Sequence, residues 1–483
     1  MASVNKQSLR EEFDALEGRF EQLVADGKMS GESRALVEAL LMLLKLLMAV
    51  FMEKHTPKTR ANSGLPSSRS PKDESAIGRP GTHGKGQTLD QARAANTRTV
   101  ETVQVTEVIF CKQCGEDLRQ VRCLGHERRT QIDIIFEKVI SHVDAEIKRC
   151  PQCHKQTRAP FPEPFCGPLQ YGCGIKAYAL NLLIAQMLSL KRLQQSIQTL
   201  IGLVISEATI LKYVLQLHQA LERWERSAIE QLLTMPALHV DETSLRVERK
   251  NYWIHVCSAG DITLKCLHPT RGQAAMEATG IIPRYGGVII HDCWASYLAY
   301  DHCGHGLCGA HLLRELTFII DAENYAWARH MKRLLQHTCQ LVSQRNDKSL
   351  SPGEYANLQK RYRTIMTRGA RELPPIPQRQ NGKRGRVAKS DAHNLWERLQ
   401  KHEAAVLLFA KDPHIPFTNN RAERDLRMSK VKQKVSGCFR NREYAQAYCR
   451  ISSYLQTMTN RGYNPLVAIQ MALAGQLYAE TGE

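Results

Sequence analysis

The N-terminal stretch carries two apolar rhythms. Leu9, Phe13, Leu16, Phe20 and Leu23 recur at alternating steps of four and three, and Leu36, Leu40, Leu43, Leu47 and Val50 repeat the pattern. That spacing predicts two helices with heptad-like seams over residues 1–55, broken at Gly27 and Gly31. They either fold back as a hairpin or pair with a second copy as a short coiled coil. Over residues 56–100 the periodicity gives way to Pro, Gly, Ser, Lys and Arg, which predicts a flexible basic linker.

Residues 101–160 form a small cysteine-bearing module, and residues 165–235 read as helical, with Leu180, Leu183, Ile184, Met187 and Leu190 at helical spacing. After Pro236 the period changes to that of strands. Leu238 to Val240, Leu245 to Val247, Tyr252 to Cys257 and Ile262 to Leu267 follow one another closely, with Asn251 and Gly260-Asp261 as turn signals. A short helix fits Gln273 to Thr279, and Val288-Ile289-Ile290 has the unbroken apolarity of a buried central strand. The predicted order is β-β-β-α-β. Helical sequence runs from Ala310 to about Arg368, a Pro/Gly/Arg-rich loop covers Pro374 to Arg386, and helices resume to the end, without internal repeats. The resulting division is an α/β core over 236–450 with a helical insertion at about 320–415, then a helical element over 451–483.

Charge narrows the class of partner. The 483 residues hold 66 Lys+Arg against 48 Asp+Glu, a formal +18, and Lys360 to Arg450 alone has 22 against 8. Such concentrated basicity points to nucleic acid. Lys430, Lys432, Lys434, Arg440 and Arg442, interleaved with Phe439 and Tyr444, are suited to phosphates and exposed bases. Glu38 and Lys45 interrupt the most apolar run, and no export signal opens the sequence, so a soluble cytoplasmic protein is expected.

Fifteen cysteines in a large chain without an export signal favour reduced thiols over a disulfide framework. Cys111-x-x-Cys114 and Cys150-x-x-Cys153 are two knuckles, 35 residues apart, whose four thiolates can close a tetrahedral structural Zn²⁺ site. Cys123, His126, His154, Cys166 and Cys173 are substitute ligands nearby. The run Asp301-His302-Cys303-Gly-His305-Gly-Leu-Cys308-Gly-Ala-His311 offers a second metal cluster, or equally a strand and a helix start.

Asp241 follows one apolar strand and Asp292 follows another, 51 residues later, so adjacent parallel strands would bring the carboxylates together. Paired carboxylates can hold two Mg²⁺ (or Mn²⁺) ions roughly 4 Å apart for phosphoryl transfer. Glu423, in Phe417-Thr-Asn-Asn-Arg-Ala-Glu-Arg-Asp-Leu-Arg-Met, is the candidate third ligand. Against this, Glu423 lies three residues after Asn420, where a capping box would use it, and either aspartate can serve as a turn residue. Glu242 and Asp425 are acidic neighbours of the chosen residues. His311 and Arg314, one helical turn apart, are secondary candidates for a shared phosphate.

These blocks resemble the IS66 family of bacterial insertion-sequence transposases. The resemblance rests on His239-Val-Asp241-Glu-Thr243, His291-Asp292-Cys-Trp, Cys308-Gly-Ala-His311-Leu-Leu-Arg314-Glu-Leu and Phe417-Thr-Asn-Asn420-Arg-Ala-Glu423-Arg. It extends to Gly78-Arg79-Pro-Gly81-Thr-His-Gly84-Lys85-Gly86, both cysteine knuckles and Lys434-Val-Ser-Gly-Cys-Phe-Arg440, leaving only the N-terminal helices weakly covered. It implies an RNase H-like core with Asp241, Asp292 and Glu423 as DDE metal ligands.

The resulting expectation is a Mg²⁺-dependent DNA transposase with a zinc-ribbon-like module. Arg79, Lys85, Arg421, Arg424, Arg427, Lys430, Lys432, Lys434 and Arg440 would bind DNA, and the N-terminal heptads would pair two copies. Expected partners are double-stranded element ends and target DNA, a second copy on that DNA, and companion proteins of the same element. The charge and zinc module would also serve a non-catalytic DNA-binding regulator, and the carboxylate trio a structure-specific nuclease.

Overall fold

A computed structural model describes residues 6–54, 56, 102–131, 134, 137–163, 165, 167–376 and 389–476. The chain divides into two units. One comprises Met1–Ala76, Val214–Tyr463 and Leu477–Glu483; the other comprises Ile77–Tyr213 and Asn464–Gln476.

In the larger unit the N-terminal rhythms form α1 (Lys6–Ala25) and α2 (Gly31–Lys54). By length and composition α2 is able to cross a membrane, yet its Leu46, Ala49 and Met52 are buried in this fold and its Lys45 pairs with Glu17 of α1. Leu36, Leu40, Leu43 and Leu47, four of the five seam positions, stay exposed, so the apolar seam is left open.

The smaller unit holds a two-stranded antiparallel hairpin, β1 (Ile147–Arg149) with β2 (Gln156–Arg158). It also holds α3 (Cys173–Leu180), extended by a π-turn over Asn181–Ala185, and α4 (Leu190–Ile201), which ends at Gly202 in the left-handed region. α5 (Glu207–Ala220) and α6 (Glu222–Leu233) lead towards the sheet.

That sheet has the order β5-β4-β3-β6-β7. β3 (Ala237–Val247), β4 (Lys250–Ala259) and β5 (Ile262–His268) form an antiparallel meander. After α7 (Gln273–Thr279), β6 (Val288–His291) and β7 (Gly304–Leu307) add in parallel on the other side of β3. The predicted β-β-β-α-β order therefore stands, with two corrections. The first two predicted strands are one, because β4 pairs with β3 continuously from His239 to Val247 and gives the polar Asp241–Ser244 backbone its partners. The second correction is β7, half-hidden in a His/Gly-rich run with little β propensity and held in the sheet by β6.

The rest of the unit is helical: α8 (Gly309–Glu323), α9 (Ala326–Gln344), α10 (Pro352–Glu372), α11 (Asp391–Lys401), α12 (Glu403–Lys411), α13 (Asn420–Ser436) and α14 (Arg442–Asn460). α15 (Pro465–Leu473) belongs to the smaller unit. α8 to α12 share one apolar core, with Trp327, Met331, Leu335, Tyr362, Leu395 and Leu407 at its centre. α10 starts on a full capping box, Ser351 with Glu354. Glu53 of α2 caps α11 across the chain, accepting the N–H groups of Asp391 and Ala392 at 2.6 and 2.8 Å.

Strand β5 lies at the sheet edge and would present unpaired N–H groups. α14 covers it: Thr457 Oγ1 accepts from Thr263 N–H (3.1 Å) and Ser453 Oγ from Lys265 N–H (2.8 Å). These hydroxyls lie one helical turn apart and match the two-residue repeat of outward N–H groups along the edge.

His255 of β4 is 5% exposed, and burial holds its pKa down to about 4. Below the unfolded value near 6.5 the unfolded chain binds a proton there that the folded chain does not. This contribution to stability is complete at neutral pH and is lost as pH falls from about 6.5 towards 4. By pH 5 it amounts to about 2 kcal/mol. Urea titrations at pH 7.5 and pH 5 are expected to show a pH-dependent loss smaller by about that amount in His255→Gln than in the wild type; equal losses would refute the assignment.

Candidate active site and metal centres

β3 and β6 pair in parallel with Ala237 opposite Val288, Leu238 opposite Ile289 and His239 opposite Ile290, a constant offset of 51 residues. Carried two residues on, the same offset sets Asp241 across from Asp292. β6 stops at His291, and the chain turns away through Cys293, whose φ of +71° is unusual for a residue with a side chain. Asp292 Oδ1 accepts the Trp294 N–H at 3.0 Å, and Cys293 N–H donates to His291 Nδ1 at 3.1 Å, fixing that turn. β3 runs on past the end of β6, and its flank on that side is next engaged at Val247, which bridges Phe439, so Asp241 lies between the two.

The electrostatics agree with the register. Burial, then the neighbouring carboxylates of Glu242 and Asp292, push the Asp241 carboxyl well above the ordinary range, partly opposed by the Glu242 N–H and by His311. Among the described residues neither Asp241 nor Asp292 has an ion-pair partner in Lys or Arg. The acidic neighbours are spoken for. Glu242 accepts from Arg271 Nε and Nη2 (2.8 and 2.6 Å) and from the Tyr297 hydroxyl (2.6 Å), while its own N–H donates to Asp241 Oδ1 (2.8 Å). Arg271 is held in turn over the rings of Trp294 and Trp253, 4.2 and 5.1 Å from their centroids. Asp425 is 3% exposed and accepts from Ser258 and Thr263 at 2.7 and 2.9 Å, fastening α13 to the sheet.

Glu423 takes another course. It lies in the first turn of α13, but the cap residue is Asn419 and no capping box forms. Its Oε1 accepts from Arg314 Nη2 at 3.2 Å and lies 3.6 Å from His311 Nδ1. His311 and Arg314, paired by their spacing as candidates for a shared phosphate, both converge on Glu423. Burial opposes charge on His311, but Cys308 and Glu423 outweigh it and hold its pKa at about 9. Among the described residues the group that meets metal-ligand spacing is Cys308, His311 and Glu423, each offering an atom within 4.8 Å of the others. The two aspartates with Glu423 do not form such a group. Of the run preceding α8, only Cys308 and His311 enter this cluster. Cys303 donates to Tyr285 O, and His305 bonds His291 at 3.1 Å.

Asn419 positions the whole arrangement. Buried at 1% exposure, it donates from Nδ2 to Val240 O (2.8 Å), accepts at Oδ1 from His239 Nδ1 (2.8 Å), and donates its backbone N–H to Cys308 Sγ (3.1 Å). Gly309 N–H bonds Phe417 O at 2.8 Å, and a Cβ at Gly309 would lie 2.2 Å from the Phe417 ring, so only glycine allows this approach. Sequence reasoning read Asn419 only as a helix start; nothing local marks its reach to β3.

The basic residues of α13 separate into two sets. Arg421 donates to Gly260 O and Ile262 O (2.6 and 3.0 Å), Lys430 donates to Ser244, and Lys432 is 7% exposed, so these three hold the helix to the sheet. Arg424, Arg427, Lys434 and Arg440 are exposed. Phe439 is likewise committed, its backbone bonded to Arg246 and Glu248 and its ring against Tyr448. Arg79, Lys85 and Cys166 lie outside the described residues.

The two cysteine knuckles are the same turn built twice. Cys111 N–H donates to Glu116 O and Gly115 N–H to Cys111 O; Cys150 N–H donates to Lys155 O and His154 N–H to Cys150 O. Gly115 and His154 occupy matching left-handed positions, φ +78° and +55°. Backbone N–H groups at Cys114 and Gln113, and at Cys153 and Gln152, lower the Cys111 and Cys150 thiol pKa values in the same way. Among the described residues the four sulfurs are not gathered to ligand spacing.

A family model, Transposase IS66 family, matches residues 168–447. That is more than half of the chain and spans the sheet, both aspartates and Glu423, and the protein belongs to this family. No curated protein matches it.

Replacing Asn419 with Ala leaves Val240 O and His239 Nδ1 unsatisfied in the interior. The expected cost is about 2–4 kcal/mol of unfolding free energy in urea titrations; a loss below about 0.5 kcal/mol, the range of ordinary surface changes, would show that the anchor is dispensable.

Proposed function

We propose that the chain is a DDE-type DNA transposase with an RNase H-like core, in which Asp241, Asp292 and Glu423 form the catalytic centre. The observation that supports this reading is the parallel register of β3 and β6, whose offset, extended two residues past its last pair, relates Asp241 to Asp292. Two adjacent carboxylates without a Lys or Arg ion partner are hard oxygen donors suited to Mg²⁺ or Mn²⁺. The chemistry such ions supply when bound is polarisation of the attacking and leaving oxygens in an in-line phosphoryl transfer.

The chain's own residues supply the rest. Glu423, Arg427 and Lys434 fall at i, i+4 and i+11 on α13, so a backbone held by the two cations passes the third carboxylate. Arg314 and His311 hold Glu423 until DNA phosphates compete for Arg314. Hydrolysis at an element end frees a 3′-hydroxyl, which then attacks a target phosphate at the same centre, with no covalent enzyme intermediate. In the smaller unit, the repeated knuckle turn supports a structural Zn²⁺ held by Cys111, Cys114, Cys150 and Cys153. The open leucine seam of α2 supports pairing of two copies, one for each element end.

The decisive test is Mg²⁺-dependent cleavage and joining of a plasmid carrying the DNA that flanks the gene. Wild type is expected to give joined products, and Asp292→Asn, at equal DNA occupancy, at least about 10³-fold less. Joining by both proteins at similar rates would overturn the assignment, and binding without any cleavage would favour a regulator. For the knuckles, metal analysis of the purified full chain is expected to find zinc that is lost together in Cys111→Ser and Cys150→Ser; loss in one variant alone would separate the two turns.

A further inference from the structure

The cluster of Cys308, His311 and Glu423 has a donor set that phosphoryl transfer does not require. Cys308 is the N-cap residue of α8 and His311 follows three residues on, so one helix start directs sulfur and imidazole to the same point. Glu423 arrives from α13, and the three donor atoms lie within 4.8 Å of one another. His311 Nδ1 is sealed from solvent without a hydrogen-bond partner. A buried ring nitrogen left this way is costly, and a cation beside it would remove that cost. The Cys308 sulfur accepts the Asn419 N–H at 3.1 Å and faces His311 across the cluster. Thiolate, imidazole and carboxylate together are the ligands of Zn²⁺ and other thiophilic divalent ions, whereas Mg²⁺ selects oxygen alone.

We propose that Cys308, His311 and Glu423 form a second metal site, selective for Zn²⁺, that withholds Glu423 from the aspartate pair and so switches the enzyme off. Binding releases to solvent the imidazolium proton on the coordinating nitrogen of His311, together with the Cys308 proton where the sulfur is still a thiol, and the ion replaces Arg314 as the partner of the Glu423 carboxylate. Three protein ligands leave a fourth position for water. The site itself stands on the geometry of the cluster; its inhibitory consequence rests on the reading of Glu423 as a catalytic ligand.

The test uses the full-length protein under reducing conditions, with Co²⁺ as a spectroscopic stand-in for Zn²⁺. Wild type and Asp292→Asn are expected to develop a sulfur-to-cobalt charge-transfer band beyond that of Cys308→Ser, with His311→Gln as a second variant that removes a different ligand. The band depends on the new site and not on DNA joining. Its presence in a protein that joined no DNA would support the site and place the failure in the reading of the reaction. Identical spectra for wild type, Cys308→Ser and His311→Gln would overturn the proposal. In strand-transfer assays with Mg²⁺, each protein normalised to its own zinc-free rate, inhibition by added Zn²⁺ is expected to need at least about tenfold more zinc in Cys308→Ser than in wild type. Equal sensitivity would overturn the switch.

Discussion

The site depends on one buried amide. β3 and β6 bring two carboxylates together by register, while Glu423, the third carboxylate of the proposed centre, comes from a helix more than a hundred residues further along, after a helical insertion. Asn419 supplies the connection: its side chain is bonded to the residues just before Asp241, and its backbone to the sulfur at the start of α8. Because these groups are buried, a small rotation of α13 would leave several of them without partners at once, and each such loss costs more than the bond itself contributes. The helix bearing Glu423 is therefore fixed in rotation as well as in position.

This explains how much of the site was legible in the sequence. The aspartates were readable because a strand's register repeats along it: apolar runs leading into Asp241 and Asp292 announce both strands and the end of β6, although β3 runs on to Val247. Glu423 was readable as a residue type in a basic helix, but its partners were not, since Arg314 and His311 reach it only through tertiary packing. The neighbours Glu242 and Asp425 are indistinguishable from the chosen acids by spacing, and are separated only by what they touch: an arginine clamped between tryptophans in one case, two hydroxyls of the sheet in the other. Strand β7 was legible only as an alternative to a metal cluster, because pairing with β6, and not its own composition, makes it a strand.

The basic stretch shows the same division at the level of charge. A surplus of positive residues identifies a phosphate-seeking surface, yet about half of the cations named on α13 serve the fold. Arg421 closes the turn between β4 and β5, and Lys432 is covered. Long cationic side chains do both kinds of work, since an aliphatic stem packs as readily as the head binds. Of the cations named in this stretch, Arg424, Arg427, Lys434, Arg440 and Arg442 are exposed.

The cap that Glu53 places on α11 ties residues 338 positions apart in the chain. A ribosome adding 5–20 residues per second reaches Asp391 roughly 20 to 70 seconds after α2 has emerged. Throughout that interval Leu46, Ala49 and Met52, which the folded protein buries, are as open as the leucines beside them. Two chains growing on the same message can therefore meet through a longer apolar stripe than two finished molecules present.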